Sequence, residues 1–166
     1  MLKDSDFDYA FYIEARDIFG KLNVPEAELF LRPSSTEKAF DVYDMLRRKW
    51  VALTPEEWVR QHFVRYMIEH LGYSAFRLAN EVPLRFNNTS RRADTVVYDD
   101  VLKPLAVVEY KAPEITLGKE TLEQALRYNL VFNAPGVMIT NGLQIISVLN
   151  GKFIPTPLSL AMLSEQ

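Results

Sequence analysis

The sequence has no cysteine, which excludes disulfide bonds and metal sites built on thiolates. Its two histidines, His62 and His70, lie eight positions apart on one predicted helix. This separation is too large for both side chains to bind one metal ion, so a histidine-rich metal centre is excluded as well. The loop Gly-x-x-x-x-Gly-Lys-Ser/Thr is also absent, so the sequence contains no phosphate-binding loop of an ATP-driven motor.

Long hydrophobic runs are missing too, because no stretch approaches the roughly 18 apolar residues that span a bilayer. The first residues are acidic at Asp4 and Asp6, unlike the basic start of a signal peptide. We therefore expect a cytoplasmic protein with no membrane partner. A composition of 48% hydrophobic and 25% charged residues over 166 positions is that of a globular domain. The net charge of −3 does not exclude DNA, because local basic runs decide contact with phosphate.

Two short β-branched stretches hold the candidate site. The stretch 93–98 has Asp94 near its start, and the stretch 105–111 ends on Glu109, Tyr110 and Lys111. Side chains alternate along a strand, so Glu109 and Lys111 point the same way and Tyr110 points the other. If the strands pair as a hairpin, Asp94 lies close to Glu109 and Lys111. A bland alternative is an exposed Glu109–Lys111 ion pair with Asp94 capping a turn.

A helix is predicted from Thr54 to about Leu71, ending at Gly72. Thr54 is the N-cap, Pro55 takes the first helical position and Glu57 completes a capping box. Six residues follow helical spacing and are expected to face the sheet: Val59, Phe63, Tyr66, Met67, His70 and Leu71. Residues 40–53 fit either a helix or a strand, and we read residues 1–39 as an extension to a domain over 40–166.

Basic residues gather at two places. Arg85, Arg91 and Arg92 flank a predicted hairpin loop over 87–90, after a predicted strand over 78–86 in which Pro83 suits an edge. This patch is either a DNA contact or an ordinary polar hairpin tip. Three consecutive cations at 47–49 precede Trp50. They either contact phosphate or form a solvated turn or edge.

Downstream, a second helix is predicted from about Leu117 or Thr121 to Phe132. Gln124 and Tyr128 are four positions apart and therefore share one face of it. By spacing alone, Tyr128 fits a core position, and 121–124 fits a capping box starting at Thr121. A hairpin over 136–149 then turns at Asn141 and Gly142.

Together these motifs resemble the PD-(D/E)xK nuclease superfamily. Asp94 matches its first acid, Glu109-Tyr110-Lys111-Ala112-Pro113 its E-x-K-A-P run, and Gln124 and Tyr128 the Gln-x-x-x-Tyr signature of its RecB-like branch. Ala93 stands where the motif's name has proline. With 54–61 and Asn141-Gly142, residues 40–155 resemble the N-terminal domain of the type I restriction enzyme endonuclease subunit.

The resemblance implies an α/β fold with a restriction-endonuclease-like core, αβββαβ, whose mixed sheet is flanked by helices. It also implies a metal-dependent DNA endonuclease. Asp94 and Glu109 would bind the metal, joined by Glu57 or Glu56 from the first helix. Lys111, Gln124 and Tyr128 would complete the catalytic set.

Oxygen ligands without histidine or thiolate suit Mg²⁺ or Mn²⁺. DNA and other restriction-modification subunits are the implied partners. The alternative is a DNA-binding or assembly module that keeps the fold without catalysis.

Overall fold

The computed structural model describes residues 2–3, 6–36 and 39–165. In these residues it contains a three-stranded sheet, a six-stranded sheet and four α-helices. The helices are α1 (Tyr9–Phe19), α2 (Pro55–His70), α3 (Lys119–Phe132) and α4 (Leu160–Ser164). The small sheet contains β1 (Leu31–Pro33), β2 (Phe40–Asp44) and β3 (Lys49–Ala52). The large sheet contains β4 (Leu78–Phe86), β5 (Thr89–Tyr98), β6 (Pro104–Tyr110), β7 (Gly136–Thr140), β8 (Ile145–Leu149) and β9 (Lys152–Ile154).

The large sheet is mixed. Its strands lie in chain order from β4 to β9, and only the β6–β7 pair is parallel among the pairs described. A parallel pair needs a crossover, and α3 supplies it. From α2 to β7 the elements therefore run helix, three strands, helix, strand, which is the predicted order.

The two strands expected to carry the site do pair as an antiparallel hairpin. Thr95 lies opposite Val108 in the β5–β6 register, so the end of β6 meets the middle of β5. β5 begins at Thr89, four residues earlier than the predicted start at Ala93. β4 has the predicted bounds and is an edge strand, where Pro83 is tolerated. The loop before β5 is shorter than predicted, because Asn87 and Asn88, with φ of 49° and 61°, make a tight two-residue turn.

The first predicted helix is confirmed as α2. Thr54 accepts a hydrogen bond from the Glu57 amide at 3.1 Å, as an N-cap does. The second half of the predicted capping box was wrong, because the Glu57 carboxylate bonds Arg47 and Gln61 instead. α2 is buried on more sides than an amphipathic pattern suggests, since Arg60, Gln61 and His62 are buried along with the apolar residues. His70, expected to face the sheet, is exposed.

Residues 40–53, left undecided by the sequence, form the β2–β3 hairpin. β1 pairs with β2, and Tyr12 and Ala15 of α1 are buried in the same core cluster as α2 and β6 residues. Residues before 40 thus share a core with those after it, while the boundary at 39/40 stays a prediction. Met1, Asp4, Glu37, Lys38 and Gln166, which belong to the two predicted segments, lie outside the described residues, as does Ser5.

Two further boundaries differ from prediction. α3 begins at Lys119 after the N-cap Gly118, whose amide donates to Thr121 Oγ1 at 2.9 Å, so Thr121 is inside the helix. The β7–β8 turn contains four residues, 141–144, and β8 starts at Ile145 rather than Leu143. Across the described ranges, every helix is too short or too polar to cross a bilayer.

Candidate active site

Asp94 and Glu109 meet in the large sheet where the end of β6 lies against the middle of β5. The Asp94 amide donates to Glu109 Oε1 at 3.2 Å, and the Tyr110 amide donates to Asp94 Oδ2 at 2.8 Å. Glu109 is 5% exposed, and the Asp94 side chain is 14% exposed. The hairpin register brings the two acids together although fifteen positions separate them in the chain.

The Asp94 charge disfavours ionisation of Glu109. Burial raises the pKa of Glu109 most, and the neighbouring Asp94 charge raises it further. Burial also raises the pKa of Asp94, against the lowering effect of Arg60. Two buried acids in contact are stable as a charged pair only when a cation or a shared proton compensates them.

Lys111, Gln124 and Tyr128 form a chain of contacts beside these acids. Lys111 Nζ donates to Gln124 Oε1 at 3.3 Å, and Gln124 Nε2 donates to Tyr128 Oη at 3.3 Å. Lys111 follows β6 on the same side as Glu109, and α3 brings the other two from the crossover. Tyr110 between them is fully buried against Phe63 of α2, as alternation requires.

Arg60 is part of this region, and the sequence analysis missed it. Its Nη2 lies 3.2 Å from Asp94 Oδ1, its Nη1 lies 2.6 Å from Glu81 Oε1, and its Nε lies 3.9 Å from Glu57 Oε2. The guanidinium carbon also stands 5.7 Å from the centre of the Tyr110 ring. A charged residue in the middle of a helical pattern carries no local signal of such a role. Residues 54–61 indicated a helix start and contributed to the family resemblance, but neither reading gave Arg60 itself a role.

The two candidate glutamates of α2 have different environments. Glu57 accepts from Arg47 Nη2 at 2.7 Å and from Gln61 Nε2 at 2.7 Å, so its carboxylate is engaged in a separate network. Glu56 instead interacts electrostatically with Asp94 of the acid pair. Its pKa is raised by burial and by the Asp94 charge and is lowered by Arg60 and Lys111.

The basic residues of the β4–β5 hairpin are exposed. Arg85 pairs in register with Ser90, Arg91 donates to the Ser90 carbonyl at 3.2 Å, and Arg92 lies 3.6 Å from Glu81. Arg92 and Asp94 are two apart on β5, so they leave the strand on the same side, whereas Arg91 leaves it on the other. The hairpin thus brings Arg92 toward the acids.

The cations at 47–49 are divided in the structure. Arg47 is turned inward, to Asp44 and Glu57, while Arg48 and Lys49 are exposed at the β2–β3 turn. The Trp50 ring is covered by Arg32, whose guanidinium carbon lies 4.4 Å from the ring centre. Of the three, only Arg48 and Lys49 are therefore accessible to an anionic ligand.

The donor set of the site suits a hard divalent cation. Asp94 and Glu109 offer carboxylate oxygens at one point, and neither a sulfur nor an imidazole ligand lies with them in the contacts above. Among the residues that the structure describes, no three histidine or acidic side chains gather closely enough to hold a metal ion by themselves. The pair fits Mg²⁺, which takes one or two protein carboxylates and fills the remaining positions with water and substrate phosphate.

Comparison with known families decides the affiliation of the chain. The family model described as "Type I restriction enzyme R protein N terminus (HSDR_N)" matches residues 55–152, more than half of the chain. The chain belongs to this family. The matched range includes α2, the β5–β6 hairpin and α3, and therefore every residue of the candidate site described above.

One solved structure supports the fold of this HSDR_N family member. It is a fragment of a protein described as an HsdR subunit of a type I restriction enzyme from Vibrio vulnificus YJ016. The match has a TM-score of 0.55 at 18% identity, and it covers 68% of this chain and 25% of the other. The chain thus spans about a quarter of that relative's length. No curated protein matches the chain.

Proposed function

We propose that the domain is a metal-dependent DNA endonuclease of the restriction-enzyme type that hydrolyses phosphodiester bonds. The observation that supports this best is the meeting of Asp94 and Glu109 where the end of β6 lies against β5, beside the Lys111–Gln124 contact. Buried charges in contact are costly, and a structural role would be served as well by apolar residues. The order of elements from α2 to β7 supports a restriction-endonuclease-like core, αβββαβ, within residues 40–166.

Asp94 and Glu109 would hold Mg²⁺ or Mn²⁺, with Glu56 as the helix acid. We prefer Glu56 to Glu57 because Glu57 is already bonded to Arg47 and Gln61. When bound, the ion would neutralise the scissile phosphate and promote ionisation of the attacking water. Glu56 is also the acid of α2 whose pKa responds to Asp94 and Lys111.

Of the remaining residues, Lys111 would act on the substrate directly, and Gln124 and Tyr128 would act through it. Lys111 would neutralise charge that develops on the phosphate, because its ammonium is held beside Glu109 by Gln124. Gln124 would orient Lys111, and Tyr128 would orient Gln124 through the 3.3 Å contact. Tyr128 is also packed against the Leu84 and Ala93 cluster, so it supports the sheet as well.

DNA would approach across the β4–β5 hairpin. Arg85, Arg91 and Arg92 are exposed there, and phosphate contacts by arginine need no base sequence. Other restriction-modification subunits would be further partners, since the family is described as the N terminus of a type I restriction enzyme R protein. We place this activity in the cytoplasm, where such substrates and subunits would meet it.

A second candidate is a non-catalytic DNA-binding or assembly module of the same fold. The observation in its favour is that Arg60 Nη2 already occupies one side of Asp94 at 3.2 Å. A side chain that neutralises the acid lessens its need for a metal ion.

A plasmid-nicking assay separates the two candidates. Purified protein is incubated with supercoiled plasmid and Mg²⁺ or Mn²⁺, next to Asp94→Asn and Lys111→Ala variants whose folding is verified by circular dichroism. Nicking that the parent performs and both variants lose supports the endonuclease. Salt-sensitive DNA binding without nicking by the parent supports the module, and equal nicking by all three contradicts the assigned site.

A further inference from the structure

Arg60 is almost completely enclosed by acids. Its side chain is 3% exposed and contacts Glu57, Glu81 and Asp94 with different nitrogen atoms. Burial lowers the pKa of Arg60, but the charges of Glu57, Asp94 and Glu81 outweigh burial and raise the pKa above its ordinary value. The guanidinium is therefore a permanent charge at a fixed place between α2 and the sheet.

Glu81 reaches Arg60 from an unusual backbone conformation. It lies within β4 between Asn80 and Val82, which pair with Thr95 and Ala93 of β5, so it stands across from Asp94. Its φ is 57°, in the left-handed region that a residue with a Cβ rarely adopts inside a strand. Such strain persists only where the surrounding contacts hold it, and it concentrates at functional sites. The conformation directs the Glu81 carboxylate to within 2.6 Å of Arg60 Nη1.

Asp94 is in this way held from two directions. The Tyr110 amide fixes Oδ2 at 2.8 Å, and Arg60 Nη2 fixes Oδ1 at 3.2 Å. A carboxylate held at both oxygens cannot rotate, and one lone pair on each oxygen remains for another partner. The 2.6 Å ion pair between Arg60 Nη1 and Glu81 keeps the guanidinium beside Asp94, whereas Glu57 is farther away, at 3.9 Å from Nε.

We infer that Arg60 and Glu81 are positioning residues that fix the orientation in which Asp94 binds the divalent cation. Glu81 acts through Arg60 and does not itself bind the ion. The inference rests on the proposed function, and it adds two residues that neither the sequence motif nor the family match assigns. Groups that orient metal ligands typically change metal affinity by roughly 10- to 100-fold when they are removed.

The alternative role for Arg60 is a mere countercharge, and the two roles predict opposite results. A countercharge repels the cation, so Arg60→Gln would tighten Mn²⁺ binding. A positioning residue holds the ligand, so Arg60→Gln weakens Mn²⁺ binding despite the lost repulsion. The sign of the change therefore decides between the two roles.

The experiment measures Mn²⁺ affinity of the full chain from the electron paramagnetic resonance signal of free Mn²⁺. Arg60→Gln and Glu81→Gln are each expected to weaken binding roughly tenfold. The double variant is expected to bind like Arg60→Gln alone, because Glu81 has nothing left to act through. Additive losses, tighter binding by Arg60→Gln or parental affinity in Glu81→Gln would overturn the inference.

Matched controls come from the same helix. Arg65 and Glu69 form an i,i+4 ion pair of 2.9 Å on α2, so Arg65→Gln and Glu69→Gln repeat the chemical changes away from the site. Both are expected to keep parental affinity. If Arg60→Gln does not fold, Arg60→Lys replaces it, because lysine keeps the charge and loses the planar fork. Parental affinity in a folded Arg60→Lys would also overturn the inference.

Failure of the proposed function gives a different result. Parent protein that does not bind Mn²⁺, or that binds it equally well with Asp94→Asn, contradicts the metal site and the inference together. Parent protein that loses Mn²⁺ on Asp94→Asn but keeps it on Arg60→Lys and Glu81→Gln contradicts the inference alone.

Discussion

Lys111 and Gln124 are in contact, with Nζ donating to Oε1 at 3.3 Å, although one ends a strand and the other belongs to the crossover helix. The contact requires the β6–β7 crossover to return α3 over the end of β6. A Lys–Gln pair at a sheet end has no evident packing role, since both groups need water or a polar partner. Both residues are only partly buried, so either can be replaced without disturbing the core.

Removing Lys111 should abolish most nicking, and removing Gln124 should weaken it less. We expect Lys111→Ala to lower the nicking rate by roughly 100-fold or more, as the loss of a charge-stabilising donor does. Gln124→Ala should cost roughly tenfold, because Lys111 remains but is no longer oriented. The rate is measured on supercoiled plasmid with Mn²⁺. Lys119→Ala, which changes an exposed lysine at the start of the same helix, should nick like the parent.

Replacing Glu56 should affect metal binding, and replacing Glu57 should affect stability. Glu56→Gln is expected to weaken Mn²⁺ binding roughly tenfold with little change in stability. Glu57→Gln should leave Mn²⁺ affinity unchanged and lower the free energy of unfolding by roughly 1–3 kcal/mol, because it removes one of the two carboxylates that pair with Arg47. Calorimetric titration and urea unfolding of both variants check this. Weaker Mn²⁺ binding by Glu57→Gln, with parental affinity in Glu56→Gln, would indicate Glu57 as the metal-binding acid instead.

The β4–β5 arginines should determine the salt dependence of DNA binding. Each phosphate contact contributes about 0.9 to the slope of log affinity against log salt. The triple variant Arg85→Gln, Arg91→Gln, Arg92→Gln should therefore lower the slope by up to about three. Fluorescence anisotropy of a labelled duplex in the absence of divalent cations measures it. Lys152→Gln, at an exposed position on β9, should not change the slope.

Stability should fall on acidification because of His62. Its ring accepts or donates a 2.9 Å bond with Tyr12 Oη, and burial lowers its pKa to about 4 from 6.5. Between these values the unfolded chain binds a proton that the folded chain does not, so stability is lost as pH falls from 6.5 to about 4.

Urea unfolding at pH 7 and pH 5 tests this. The parent should lose roughly 2 kcal/mol more than His62→Gln between those values. His70→Gln controls for replacing an exposed histidine. An identical loss in His62→Gln and the parent would contradict the prediction.

Asp44 should be worth more to stability than Asp41 on the same strand. Asp44 has no exposed surface and accepts from the Leu46 and Arg47 amides, Gln61 Nε2 and Asn80 Nδ2. Asp44→Asn should cost roughly 3 kcal/mol, because it removes one of the two carboxylates that pair with Arg47 and leaves an oxygen too few for the buried donors. Asp41→Asn, whose partner Arg32 is half exposed, should cost less than about 1 kcal/mol. Urea unfolding measures both, and equal costs would contradict the argument.

Local sequence was enough for α2, for β4 and for the hairpin that carries the acids, but it left the β2–β3 hairpin over 40–53 undecided. Thr54, Pro55 and the alternation of 105–111 are short-range signals, because helix capping and strand periodicity depend on neighbouring residues. The pairing of Asp94 with Glu109 followed from a hairpin, whose register is a local property too. The length of the turns was less accessible, since the positive φ of Asn88 and the start of β8 depend on how the flanking strands twist.

The residues that surround the acids were decided by tertiary structure alone. Arg60 lies on α2 and Glu81 lies on β4. No periodicity in the sequence predicts that a buried arginine of α2 contacts residues of both β4 and β5. The choice between Glu56 and Glu57 likewise depended on the β2–β3 hairpin, which supplies Arg47 to Glu57. Sequence by itself determines which side chains an element can present, because that is set by backbone geometry. Which of them meet is determined by packing between elements, and packing is a property of the folded chain only.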